Sequence, residues 1–232
     1  MRNTALAYLA ENPLHHMGMI FPIKRGSSEI IYADTDGVLL IETASGAYML
    51  SASCLNKGKE LLDSVGRQGL FCVHQKEFFD YLSEKYNYSN GLTCLQAVYN
   101  SSKPTQHDSN RLDIRQLAPG YIDIVYEHYH DHADYDYIKK SLERGDIYGG
   151  YLGDELCGFV GTQAEGSIGM LEVFPSHRRK GFASELEGYM INLILKRGRV
   201  PFAQVTVGNK ASLNLHKRLG FDIAADEVYW LF

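Results

Sequence analysis

The sequence predicts an α+β protein made of two similar units, in which a mixed and mostly antiparallel sheet is flanked by helices. A β-hairpin with a strong turn signal occurs in each half, at residues 34–37 and again at 153–155. Each hairpin is followed by a strand, a helix, a strand, a helix and a terminal strand. A polar, proline-containing stretch at residues 100–110 separates the halves and has the composition of a linker. We therefore expect a first domain over residues 1–105 and a second over 110–232.

In the first half, the pattern of apolar residues predicts one interrupted helix, five strands and two further helices. The first helix covers residues 1–20 and is broken at Pro13. The strands are expected at residues 29–33, 37–42, 47–52, 70–74 and 92–99, and the two later helices at 57–65 and 77–86.

In the second half, strands alternate with helices in the same order. The helix at residues 181–196 is the clearest, because its apolar residues recur at helical spacing. The other helices are expected at 119–130, 135–144 and 210–219, and the strands at 112–117, 147–152, 156–163, 167–174, 202–207 and 221–232, the last as one or two strands.

Composition excludes several classes of protein. The 232 residues are 45 % hydrophobic and 22 % charged, and the net charge of −5 does not favour a broad basic face for nucleic acid. The four cysteines form no C-x-x-C pair, which favours reduced, buried thiols. No apolar run approaches the ~20 residues of a membrane span, and Glu11, Asn12 and Pro13 interrupt the apolar start. We expect a cytoplasmic protein that binds neither nucleic acid nor membrane.

The stretch from residue 171 to 184 carries the strongest chemical signal. A predicted strand ends at Pro175, a basic loop follows, and the long helix begins near Gly181. Backbone N–H groups without helical partners and the macrodipole make such a helix start an anion site, suited to a pyrophosphate. Gly181 removes a side chain where the backbone must approach phosphate, and Arg178, Arg179 and Lys180 add positive charge.

Two motifs resemble the GNAT superfamily of N-acetyltransferases. Arg178-x-x-Gly181-x-Ala183 is similar to the family's acetyl-CoA signature, and residues 209–221 resemble its strand-to-helix element, which ends in Leu-Gly-Phe. The resemblance covers about residues 111–232; over residues 1–100 it rests on the order of elements. The arrangement as a whole resembles the two-domain glycine N-acyltransferase-like group. It implies tandem GNAT-like units, with a degenerate first unit and splayed parallel strands in the second.

The resemblance also implies the coenzyme site. The pantetheine arm of acetyl-CoA would lie between the strands at 167–174 and 202–207, and the Val173 N–H would polarise the thioester carbonyl. The implied coenzyme contacts are Leu171, Val173, Arg178, Arg179, Lys180, Gly181, Phe182, Ala183, Ser184, Asn209 and Ser212.

The implied reaction, attack of a neutral amine on a thioester, needs a base and an acid. Relatives often have a tyrosine that acts as the acid at the position of His216. In this chain His216 would either act as the acid or bind coenzyme. Some relatives place a glutamate base where this chain has Gln204, so Glu172 is the alternative base, acting directly or through water.

The acceptor side is less sharply marked. The first helix pair of the second half borders the acceptor site in relatives, which makes Tyr126, His130 and Asp131 candidates for substrate contact. The histidine- and aspartate-rich stretch at 128–136 completes no known metal-ligand pattern, so no metal is predicted.

The sequence thus predicts transfer of an acetyl group from acetyl-CoA to a primary amine, either a small amine or a peptide amine. Two alternatives stay open: a longer acyl-CoA as donor, and a non-catalytic acyl-CoA-binding sensor or scaffold. Residues 51–59 of the first half have no phosphate-loop motif, so that half is expected to have lost coenzyme binding. It would then form one side of the substrate cleft or hold a homodimer together.

Overall fold

The computed structural model describes residues 1–105, 111–129 and 134–232. They form two compact units. The first consists of Met1–Val98, Gln204–Leu213 and Asp222–Phe232, and the second of Tyr99–Ala203 and Asn214–Phe221. The domain limits expected from the sequence, 1–105 and 110–232, remain a prediction.

The elements of the first half match the predicted order. Helices α1–α4 are Arg2–Leu9, Met17–Arg25, Leu55–Val65 and Lys76–Tyr86, and strands β1–β5 are Ser28–Ala33, Gly37–Glu42, Ala47–Ala52, Phe71–Val73 and Gly91–Val98. The predicted break near Pro13 separates α1 from α2, and α2 continues through Pro22 to Arg25, beyond the expected end at residue 20.

The second half also follows the predicted order. Helices α5–α8 are Ile122–His128, Tyr135–Arg144, Phe182–Lys196 and Lys210–Leu219, and strands β6–β11 are Asp113–Gln116, Ile147–Leu152, Glu155–Thr162, Ile168–Val173, Phe202–Thr206 and Asp222–Leu231. The region predicted as one or two final strands is a single strand, β11, whose register shifts between Ile223 and Glu227.

In the first unit the strand order is β1-β2-β3-β4-β11-β5. All these pairs are antiparallel except β3 with β4. The last strand of the chain therefore lies inside the first unit, where Leu231 is opposite Phe71 on one side and Gly91 on the other. The side chains of Tyr229 and Leu231 are buried in a core with α3 and α4, whose members include Leu62, Phe78 and Leu82.

In the second unit the strand order is β9-β8-β7-β6, and the first residues of β10, Phe202 and Ala203, lie beside β9; only β9 with β10 is parallel. Their parallel pairing is confined to one register position, Ala203 opposite Ile168, near the start of each strand. This limited pairing is what splayed parallel strands require. A core that includes Val125, Ile138 and Phe159 lies beneath α5 and α6. Within the described residues, no helix is long and apolar enough to cross a bilayer.

Candidate functional site

Strand β9 contains a bulge shortly before its end, where the basic loop begins. Met170 has φ +52°, in the left-handed region that a non-glycine residue seldom adopts, and the register with β8 shifts between Phe159 and Gly161. Met170 itself is buried, so packing of its side chain in the core of the second unit holds this unusual backbone in place.

Beyond the bulge, hydrogen bonding fixes the direction of the Val173 amide. The Phe174 N–H donates to the carbonyl of Cys157 at 2.9 Å. Backbone groups of successive residues point to opposite sides of a strand, so the N–H and carbonyl of Val173 point away from β8. The Val173 carbonyl accepts from Arg178 Nε at 2.9 Å, which agrees with that direction. The Val173 N–H is thus available at the open side of β9.

The loop after β9 forms a concave row of backbone donors. Pro175–His177 is a single 3-10 turn, and Arg179 and Gly181 then have φ +62° and +87°. The first N–H groups of α7 to donate to a carbonyl are those of Ser184 and Glu185, both to Gly181. In the described part of the chain, the N–H groups from Arg179 to Ala183 have no carbonyl partner. Successive N–H groups around left-handed residues make an anion-binding concavity, and here the positive end of a 15-residue helix lies behind it.

A buried carboxylate next to this loop is neutralised by an arginine that sequence reasoning missed. Glu185, in the first turn of α7, is 5 % exposed and accepts from Arg111 Nε at 3.0 Å and Arg111 Nη2 at 2.8 Å. Its other oxygen accepts the backbone N–H groups of Arg111 and Leu112 at 2.9 and 3.1 Å. Arg111 also donates to the Lys180 carbonyl, so it holds the loop as well as the helix. The one signal in the sequence was an acidic residue in the first turn of a helix predicted to bind an anion.

The two predicted arginines of the loop differ in their contacts. Arg178 is directed back to the end of β9, where its Nη2 lies 2.8 Å from Glu172 Oε1 and its Nε donates to the Val173 carbonyl. It therefore fixes the strand end. Arg179 and Lys180 are exposed, as is Gly181, whereas Phe182 is buried. The ring of Phe182 lies 4.8 Å from the guanidinium carbon of Arg111.

His177 is a second residue that the sequence did not single out. It is 5 % exposed, and its Nε2 lies 3.0 Å from Oε1 of Glu155, the first residue of β8. This contact fixes the start of the loop to the rest of the second unit.

The predicted acid, His216, is buried in the second unit. Its Nε2 lies 3.1 Å from Glu187 Oε1 of α7, and the exposed fractions of the two side chains are 6 % and 2 %. The ring packs edge-on against Phe221, with centroids 4.8 Å apart. The pair therefore fastens α8 to α7.

The remaining predicted contacts have local roles. The Asn209 side chain accepts the Ser212 N–H at 3.0 Å and so caps the start of α8. The side-chain amide oxygen of Gln204, Oε1, accepts from Trp230 Nε1 at 2.6 Å within the first unit. Leu171 and Ser184 are partly exposed, and Tyr126 is 48 % exposed on α5. His130 and Asp131 lie outside the described residues.

No group of three or more histidine, cysteine, aspartate or glutamate side chains among the described residues is arranged to hold a metal ion. The chemistry of the loop is that of hydrogen-bond donors and positive charge.

Comparison with known proteins identifies the family to which this arrangement is similar. Residues 147–231 match the family model of FR47-like proteins. No protein with a curated function matches the chain in sequence.

Several solved structures share the fold. A Drosophila protein from a structural genomics programme superposes with a TM-score of 0.70 at 14 % identity, over 100 % of this chain and 87 % of that one. An acetyltransferase of the GNAT family from Colwellia psychrerythraea has a TM-score of 0.53 at 15 % identity, over 98 % and 97 %. A tandem GNAT protein from the clavulanic acid biosynthesis pathway, solved without acetyl-CoA, has a TM-score of 0.50 at 13 % identity, over 99 % and 92 %. At these identities the likeness concerns the fold.

Proposed function

We propose that this chain, a GNAT-superfamily protein by its two-unit fold and the FR47-like match of its second half, moves an acetyl group from acetyl-CoA to a primary amine. The observation that carries the proposal is the row of backbone N–H groups from Arg179 to Ala183, which lack carbonyl partners within the described ranges. A row of donors at the positive end of a long helix fits a pyrophosphate, the group that every acyl-CoA carries.

The open side of β9 supports the same proposal. The pantetheine arm of acetyl-CoA would run along Leu171 and Val173 as an added strand, and the Val173 N–H would donate to the thioester carbonyl. This donor is most valuable where negative charge develops on that oxygen as the tetrahedral intermediate forms. The Arg178 contact with the Val173 carbonyl keeps the peptide plane in the required direction. Arg179 and Lys180 add charge near the phosphates, and Asn209 and Ser212 remain proposed coenzyme contacts.

The reaction forms a C–N bond and breaks the C–S bond of the thioester. The amine must lose its proton before attack, and the departing thiolate must gain one. In the proposal, Glu172 accepts the amine proton through water, and His216 stands as the proton donor to the thiolate. Glu172 is already paired with Arg178 and His216 lies beside buried Glu187. Because both side chains are already engaged, the proposal assigns most of the rate enhancement to the positioning of the substrates and to the Val173 N–H donor.

Binding and turnover test the proposal separately. Calorimetry with acetyl-CoA, and with CoA and pantetheine as partial ligands, measures whether the diphosphate supplies affinity. A ligand at 100 times its Kd raises the free energy of unfolding by about 2.7 kcal/mol, which a thermal shift detects. Release of free CoA thiol over a panel of amines, amino acids and peptide amino termini then measures turnover. Tyr126→Ala, with His130→Ala and Asp131→Ala, tests the acceptor side through KM.

The outcomes discriminate between the candidate functions. Faster turnover with propionyl- or benzoyl-CoA than with acetyl-CoA would identify a longer acyl donor. Tight acyl-CoA binding without thiol release against the whole panel would identify a sensor or scaffold. Equal affinity for pantetheine and CoA would show that the diphosphate contributes no binding energy, which would contradict the proposal.

A further inference from the structure

Three histidines from separate segments of the first unit form a buried cluster. His15 and His16 precede α2, and His74 follows β4; the ring centroids lie 4.9 to 5.2 Å apart. Their exposed fractions are 4 %, 7 % and 3 %. Buried histidines normally have hydrogen-bond partners for both ring nitrogens, so the partners show what the cluster lacks.

Each ring gives one nitrogen to a backbone carbonyl. His15 Nε2 lies 3.1 Å from the His74 carbonyl, His16 Nδ1 lies 3.1 Å from the Leu9 carbonyl, and His74 Nδ1 lies 3.2 Å from the Leu50 carbonyl. A carbonyl only accepts, so each of these nitrogens carries the proton. The opposite nitrogen of each neutral ring is then an acceptor.

Only one of the three acceptor nitrogens is satisfied by the protein. His16 Nε2 accepts from the Ser51 hydroxyl at 3.0 Å. His15 Nδ1 and His74 Nε2 are buried without a hydrogen-bond partner among the residues that the structure describes. Burial lowers the pKa of all three histidines, that of His16 to about 4, so the rings are neutral at pH 7.

The three histidines are among the residues that line a pocket of the first unit. The pocket has a volume of about 350 Å³, and its lining also includes three acidic residues, Glu77, Asp226 and Glu227, together with Lys76 and Asn12. Asp226 also presents its backbone carbonyl and its charge to His15, and both raise the pKa of that ring against the larger effect of burial.

Three donors in the wall of this pocket are already engaged. Lys76 Nζ lies 2.7 Å from both carboxylate oxygens of Asp80, the Tyr229 hydroxyl donates to Glu227 at 3.0 Å, and Gln75 Nε2 donates to the Ser51 hydroxyl at 3.2 Å. Among the described residues, the lining thus carries three acidic groups against one lysine, and that lysine is already paired with Asp80.

We propose that this pocket binds the protonated head of a small primary amine. Its ammonium would donate to His15 Nδ1, to His74 Nε2 and to the Asp226 side chain. An alkylammonium has three N–H donors, no acceptor and one positive charge, which complements the wall in each respect. The site lies wholly within the first unit, where the sequence carries no phosphate-loop motif, and it does not depend on coenzyme binding.

A metal ion fits these residues less well. His16 has both ring nitrogens engaged, so the cluster offers two free nitrogens, and the described residues contain no group of three side chains arranged as metal ligands. A single water would satisfy the two nitrogens, and it would leave the carboxylate wall and most of the pocket volume unused.

The test titrates the full-length protein, without acyl-CoA, with propylammonium at pH 7.5 by calorimetry and NMR. Propanol and tetramethylammonium are matched probes, because propanol lacks the charge and tetramethylammonium lacks N–H donors. We expect saturable binding of propylammonium only. His74→Phe, which removes one acceptor and keeps an aromatic ring, should weaken it about tenfold, the value of one hydrogen bond to a charged group. Asp226→Asn, at an exposed position, should weaken it severalfold.

His128→Ala, which changes a histidine outside the cluster, serves as the control and should leave affinity unchanged. The proposal is overturned if the three probes bind alike. It is also overturned if propylammonium does not saturate the protein with a Kd of roughly 50 mM or lower. It is equally overturned if micromolar Zn²⁺ binds and His74→Phe abolishes that binding. Because no acyl-CoA is present, these results leave the proposed transferase activity to be judged by its own assay.

Discussion

The guanidinium of Arg111 and the carboxylate of Glu185 form a contact, with Nη2 2.8 Å from Oε1, that places a neutralised acid beside the proposed diphosphate site. A carboxylate at a helix start that binds an anion would repel the ligand if it were unpaired. The arginine cancels that charge and also holds the carbonyl of Lys180 in the loop. The two residues therefore position the loop and need not touch the coenzyme.

Arg111→Ala is expected to lower both stability and coenzyme affinity. Glu185 would be left buried without its cation, which costs about 1–2 kcal/mol, below the range for fully buried pairs because the Arg111 side chain is 45 % exposed. Affinity for acetyl-CoA should fall about tenfold through the uncompensated charge. Urea unfolding and calorimetry measure the two effects. Lys140→Ala removes an exposed cation of α6 and should change neither; equal effects of the two variants would contradict the role given to Arg111.

Comparing Gly181→Ala with Gly198→Ala distinguishes the effect of backbone strain on stability from the effect of the loop backbone on coenzyme affinity. Gly181 has φ +87°, and an added Cβ would lie 3.2 Å from Arg111 Nη2, within the row of donors. Gly198, after the other end of α7, has φ +69° and open space around it. Alanine at either site should cost roughly 1 kcal/mol of stability through the left-handed backbone.

Of these two glycine variants, only Gly181→Ala should weaken acetyl-CoA binding, by about tenfold as measured by calorimetry. Similar affinities for the two variants would show that the loop backbone does not approach the ligand.

The His216–Glu187 pair calls for a double-mutant cycle. His216→Phe removes the side chain that lies 3.1 Å from the buried Glu187 Oε1, which should lower the free energy of unfolding by about 1–3 kcal/mol, and the double variant with Glu187→Leu should recover most of that loss. If His216 donates a proton to the thiolate, kcat stays low in the double variant although stability returns. If the pair only fastens α8 to α7, kcat returns with stability. Urea unfolding and thiol-release kinetics on all four proteins make this distinction.

Local signals explain why most elements were predictable from the sequence. Helix α6 begins and ends as predicted because Asp134 accepts the Tyr137 N–H at its start, at 2.6 Å, and Gly145 with φ +75° terminates it. The strand end, loop and helix start of residues 173–182 were likewise predictable, since the glycine and basic residues lie next to one another in the chain; that this loop binds coenzyme stays a prediction.

Contacts between distant residues were not predictable in the same way. The order of elements does not reveal that β11 pairs with β4, since nothing near Trp230 specifies Cys72 as its opposite residue. The Arg111–Glu185 contact spans 74 residues, and the histidine cluster joins residues 15 and 74. Such contacts depend on how the elements pack, which hydrophobic periodicity leaves undetermined.

The histidine cluster predicts that the first unit loses stability in mild acid. The pKa of His16 is lowered from 6.5 to about 4, and those of His15 and His74 are lowered too, because burial disfavours the charged rings. Below pH 6.5 the unfolded chain then binds more protons than the folded one, so the free energy of unfolding falls as pH falls. The loss ends near the folded pKa, and for His16 alone it amounts to about 3 kcal/mol. Few carboxylates titrate between pH 6.5 and 5, so the histidines dominate that window.

Trp230 is the only tryptophan and lies in β11 of the first unit, so its fluorescence during urea unfolding reports on the unit that holds the cluster. His16→Gln keeps an amide donor and acceptor but cannot take up a proton in this range. It should flatten the dependence of the urea midpoint between pH 5 and 6.5, whereas His128→Gln should leave the wild-type slope. A wild-type midpoint that does not change between pH 7.5 and 5 would mean that the three rings are hydrated and not held neutral by burial. In that case the two unpaired nitrogens would have water as their partner, and the argument for an ammonium ligand would lose its premise.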